Sequence, residues 1–156
     1  MIEEALAQFL LRDLGVTKIA GQRVYPQKVP QEEKFPRVTI ARVATEGTRS
    51  NTGSGPLKKT AIRFDCWSLV ELTAKQLRHA VGQATGGIAG GPILDGFRGT
   101  MRGPKNEFQV QGIFLDDEAD IVLQPEAGSG ETIYQSTAMF AVWYEEHVTV
   151  AAGAGS

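Results

Sequence analysis

The chain has 156 residues, enough for one domain of ordinary size with its own core. Its 42% hydrophobic and 22% charged composition excludes a disordered chain, and a formal charge of −2 leaves no basic footprint for gripping nucleic acid through phosphates. The single cysteine, Cys66, excludes an internal disulfide and a four-cysteine zinc site, and no apolar run reaches the roughly 18–20 residues that span a bilayer.

Ile2, Ala5, Leu6, Phe9, Leu10 and Leu14 recur at helical spacing, which predicts an amphipathic first helix stopped by Gly15. Glu3 and Glu4 suit the positive end of its dipole and are unlike the start of a signal peptide, so synthesis in a cytoplasm is expected. Residues 23–26 read as a short extended piece. Pro26, Pro30 and Pro36 then keep the segment up to Phe35 from being helical.

Residues 37–43 alternate as a strand, with Val38 and Ile40 on one side. Residues 45–56 are a long polar loop with Arg49 and Asn51 near its tip, and residues 58–67 are the return strand. On that strand Thr60, Ile62, Phe64 and Cys66 share one face, and Ala61, Arg63, Asp65 and Trp67 the other. Ser68 and Glu71 have capping-box spacing, flanked by Trp67 and Leu72 at the staple positions. A second helix over 69–84 follows, with Val70, Ala74, Leu77, Val81 and Ala84 on its apolar face.

The glycine-dense stretch 85–103 is expected to be a loop with at most one short strand near 93–98. Residues 108–115 resume strand character. Asp116, Asp117 and Glu118 read as a polar turn into a partner strand at 121–123. Residues 133–144 form the longest strand; both its parities are partly apolar, which asks for cover on both sides by helices or by a neighbouring subunit. The small residues of 151–156 are a loose tail behind a single domain spanning 1–150. Helix, strands, helix, strands without β-α-β alternation indicates an α+β fold: an antiparallel-rich mixed sheet with two main helices packed on it.

Chemistry is sparse. His79 and His147 lack a motif partner and read as surface imidazoles, although His147 beside Glu145 and Glu146 keeps a small enzyme open as a rival. Cys66, alternating with Phe64 and Ile62, reads as a small buried hydrophobe. No phosphate-cradling glycine motif and no nucleophile elbow occurs. Asp116, Glu118 and Asp120 have the spacing of a calcium loop's first ligands, but Ile121 and Ala127 stand where glycine and glutamate are required. No catalytic set, metal or cofactor is therefore expected. Arg42 and Arg63 sit on apolar-patterned strands; they either pair across a subunit interface, with Asp65 or Glu107, or lie on an exposed sheet face. A plain ligand-binding α+β domain is a further rival.

The order of motifs is informative. The N-terminal helix leads to Gly21-Gln22-Arg23-Val24-Tyr25-Pro26, then a proline-punctuated loop and Phe35-Pro36-Arg37-Val38-Thr39-Ile40. Ala61-Ile62-Arg63-Phe64-Asp65-Cys66-Trp67 runs into the helix around 74–81, and Phe140-Ala141-Val142-Trp143-Tyr144 follows near the end. This order resembles the tail-completion family of long-tailed bacteriophages and gene transfer agents, whose members act as tail terminators or tail-to-head joining proteins. The resemblance is best from the first helix to Gly82.

It implies a non-enzymatic homohexameric ring that docks on the last ring of tail-tube protein and stops polymerisation. The ring would offer its other face to the neck proteins, with genomic DNA passing through unread and no membrane partner. Another neck, head-completion or baseplate ring protein is the nearest alternative. Arg42, Arg49, Asn51, Arg63, Asp116, Asp117 and Glu118 are the candidate interface residues.

Overall fold

The computed structural model describes residues 2–26, 34–48, 57–123 and 132–148. The elements are α1 (Ile2–Leu11), α2 (Leu14–Ala20), β1 (Val24–Pro26), β2 (Arg37–Thr48), β3 (Leu57–Ser68), α3 (Glu71–Gly82), β4 (Gly99–Arg102), β5 (Asn106–Leu123) and β6 (Ile133–Val148). The strands form one sheet in the order β1-β2-β3-β6-β5-β4. Among the described residues only the β1–β2 pair is parallel, and the other pairs are antiparallel. The expected α+β class, with two main helices (α1 and α3) and an antiparallel-rich mixed sheet, is what the chain adopts; α2 is a short third helix among the described residues.

The helices differ in detail from expectation. Gly15 does not end the first helix; it lies inside α2. The break comes at Asp13, whose carboxylate accepts a hydrogen bond from the Val16 N–H at 3.2 Å and so satisfies a free donor at the start of α2. Its other oxygen accepts from the Thr85 N–H at 2.9 Å, so one buried side chain ties the α1–α2 elbow to the segment after α3.

The capping box is not formed. Val70 is the N-cap of α3 and contributes no side-chain bond, while the Ser68 hydroxyl accepts from the Val70 N–H two residues on. Val70 and Leu72 are exposed, and Ala74, Leu77, Val81 and Ala84 face inward as the periodicity requires.

Buried apolar residues from each of the three helices join one cluster with Val38, Ile40, Ile62, Phe64, Cys66, Ala138, Phe140, Val142, Tyr144, Phe108, Val110, Ile113 and Met101. Phe64 meets Phe140 edge-to-face at 5.5 Å between centroids, as Phe108 meets Tyr144 at 5.6 Å. The described helices therefore all lie on one side of the sheet, and residues of the opposite parity form a second face that is open among the described residues.

Two strand expectations are corrected. The strand in the glycine-dense stretch is Gly99–Arg102, not 93–98, because Leu94 and Phe97 turn into the core and hold that segment as a loop. The acidic run is no turn: Asn106–Leu123 is one strand beside β6, with irregularities at Val110/Gly112 and Leu115/Asp117 that absorb the extra residues.

Candidate assembly interface

Cross-strand partners share a face, so the register fixes what each face presents. The open face carries Arg37, Thr39 and Ala41 from β2, Ala61, Arg63, Asp65 and Trp67 from β3, and Gln135, Thr137, Met139, Ala141 and Trp143 from β6. Asp117, Ala119 and Ile121 continue it on β5. A hydrogen-bonded group lies at its centre. Asp65 is only 3% exposed; its Oδ1 accepts from Thr137 Oγ1 at 2.8 Å and from Gln135 Nε2 at 2.9 Å, and its Oδ2 accepts from Arg63 Nε at 2.9 Å. Beside it Trp67 Nε1 donates to Thr39 Oγ1 at 3.0 Å, and the Arg37 guanidinium lies over the Trp67 and Phe35 rings. These contacts hold long polar side chains flat and leave a rigid, patterned surface.

The candidate residues distribute as follows. Arg63 lies on the open face and pairs with Asp65 of its own strand. Arg42 points to the other side, where its Nε lies 3.7 Å from the buried Glu3 carboxylate of α1. Glu107 pairs with Arg102 at 3.4 Å. Asp116, Asp117 and Glu118 are exposed along β5. Arg49 and Asn51, like most of the expected loop 45–56 and the tail 151–156, lie outside the described residues; residues 45–48 belong to β2.

Sequence reasoning missed the group that fixes the acidic segment. Arg78 of α3 donates through Nη1 to Asp120 Oδ1 at 2.9 Å and places Nη2 3.7 Å from Glu118. Ser136 Oγ donates to the same Asp120 oxygen at 2.6 Å. No sequence spacing links Arg78 to residue 120.

His79 and His147 are both exposed. An open groove of about 420 Å³ lies between α1 and β4, lined by Phe9, Arg12, Ile88, Met101, Arg102 and Glu107 among others. Among the described residues no three His, Cys, Asp or Glu side chains gather as a metal site.

Cys66 is buried in the core, and burial first, then the neighbouring Asp65 charge, raises its thiol pKa well above the ordinary value. Arg78 opposes the rise. The folded chain is expected not to react with an aromatic disulfide reagent at pH 8 and to release one equivalent only on unfolding. Because the unfolded thiol ionises near its ordinary 9.0 and the folded one does not, stability also falls as pH rises past that value. Rapid native-state labelling would remove this reading.

Comparison with curated proteins finds no significant relative. A chain in the virion of a native gene transfer agent particle shares the fold, with a TM-score of 0.65 over 92% of this chain and 94% of that one at 17% identity. Residues 4–94, more than half of the chain, match the model of the tail completion protein gp17 family. The chain belongs to the tail completion protein gp17 family and is a structural protein of a virion tail.

Proposed function

We propose that the chain is a tail terminator: a homohexameric ring that caps the tail tube, halts its polymerisation and joins the tail to the head-neck proteins. The family match carries this reading. A sheet with one face free of helices, and strand edges left unpaired among the described residues, adds to it, because such surfaces call for neighbours. Residues 1–150 act as one domain with 151–156 as its tail. Genomic DNA passes through the ring, and the mildly acidic chain does not hold it. Assembly takes place in the host cytoplasm, and the finished ring stays in the tail-neck region of the virion.

Contact with tube and neck falls to the loop carrying Arg49 and Asn51, with Arg42, Arg63, Asp116, Asp117 and Glu118 as further interface residues. Purified chain mixed with polymerising tail-tube protein is expected to arrest tubes at reduced length, seen in negative-stain images. Tubes that lengthen as in its absence would reject termination. Deleting residues 49–54 is expected to leave a folded, ring-forming protein that no longer caps. Wild-type capping by that deletion would remove the loop from the contact.

A further inference from the structure

β1 covers the outer side of β2 only at Val38, Thr39 and Ile40. Among the described residues no strand flanks β2 beyond them, which leaves residues 41–48 as an open edge. On the far side of the sheet β4 covers β5 only from Glu107 to Val110. The loop after α3 extends that cover a little. Gly96 N–H donates to the Ile113 carbonyl at 2.6 Å, and Leu115 N–H donates to Asp95 Oδ1 at 3.0 Å. Residues 116–123 have no flanking strand among the described residues.

Among the described residues the sheet thus has two open edges. They lie at diagonally opposite ends, because Ile121 aligns through β6 with the Trp67 end of β3, whereas residues 44–48 of β2 align with residues 57–61.

We infer that residues 116–123 of one copy pair with residues 41–48 of β2 in a second copy, as a head-to-tail sheet junction. Strand sense permits it: β2, β3, β6 and β5 alternate in direction, so β5 meets the next copy's β2 antiparallel and the alternation continues. Charge favours this partner over another β5. Asp116, Asp117, Glu118 and Asp120 would face their own like in a two-fold arm-to-arm pair, and facing carboxylates are destabilising. The β2 edge 41–48 instead carries one basic and one acidic residue, Arg42 and Glu46, with Lys58 and Lys59 beside it on β3, so it does not meet the acidic run with like charge.

Apolar surface agrees. Leu115, Ile121, Val122 and Leu123 are 38–48% exposed along the arm, and Val43 is 50% exposed on the β2 edge. Arg78 and Ser136 hold Asp120 and keep the arm extended for pairing. Each junction displaces the next copy along the strands, so the assembly closes only with strands tilted to its axis, as in a barrel.

This junction rests on the ring reading and specifies its lateral contact. Ala44 pairs with Ala61 and Ala119 with Thr137, so both lie on the open face and would be neighbours across the junction. Chains bearing Ala44→Cys and chains bearing Ala119→Cys are mixed, treated with a short bis-maleimide and run on a denaturing gel. Gln76→Cys, on the exposed side of α3, serves as control. Native Cys66 is buried and does not compete.

In parallel, mass photometry follows assembly of the same proteins, alone and on isolated tail tubes. The expected result is linkage in the mixture at least tenfold above either variant alone and above the control. Oligomers without the mixed link overturn the junction and leave the ring intact. Efficient self-linkage of Ala119→Cys overturns it in favour of arm-to-arm pairing. A protein that stays monomeric both alone and on tubes removes ring and junction together.

Discussion

Phe64→Ala is expected to cost about 3–5 kcal/mol of folding stability, read as a lower denaturant midpoint at unchanged slope in urea unfolding. Phe64 has no exposed surface, sits at mid-strand in β3 between the pairings to β2 and β6, and stacks edge-to-face on Phe140. Truncation removes buried ring area and leaves a cavity that flanking strands, fixed by hydrogen bonds on both sides, cannot close. Phe64→Leu keeps most of the volume and should cost markedly less. Equal costs for the two would show that the site repacks freely and that the core is not specifically filled around this ring.

The adjacent residue tests the opposite face by different physics. Asp65→Ala is expected to cost about 3 kcal/mol, because it strands the donors of Thr137, Gln135 and Arg63 that now converge on one carboxylate. Asp65→Asn keeps an oxygen where Oδ1 accepts from Thr137 and Gln135 and loses only the charged partner of Arg63, so about 1 kcal/mol is expected. Urea or thermal unfolding of the pair gives the comparison. If both variants match wild type, water replaces the carboxylate and the open face is not held rigid by this group.

Alternation made β3 and β6 readable, because one parity of each is buried against helices: Ile62, Phe64 and Cys66 on β3, Phe140, Val142 and Tyr144 on β6. Where burial does not discriminate, reading failed. Residues 116–123 are exposed on every position, so nothing in their hydrophobic pattern opposed the turn that Asp116-Asp117-Glu118 suggests. Pairing with β6 and the Arg78 contacts keep them extended, and both are tertiary.

Ser68 and Glu71 had the right spacing for a cap, but β3 runs to Ser68 and the helix starts two residues too late for it to serve, with Val70 at the N-cap. Asp13 was legible in principle, since an acidic residue three before Val16 is an ordinary N-cap; Gly15 drew the boundary instead. Of the candidate contacts, the sequence marked Arg42, Arg63 and the acidic run as unusual. It did not show that Arg42 leans on Glu3, or that Arg63 and Asp65 belong to one network.

β6 comes sixth in chain order yet sits third from one edge of the sheet, clasped by β3 on one side and β5 on the other. A ribosome therefore releases two separate hairpin-like pieces, β2–β3 and β4–β5, long before the strand that bridges them exists. Until it emerges, each piece bares an inner edge that is buried in the finished molecule, and the helices have only half a platform to rest on. Folding of this subunit must wait until β6 has been made, and chains stopped before that strand should be found in inclusion bodies instead of in tails.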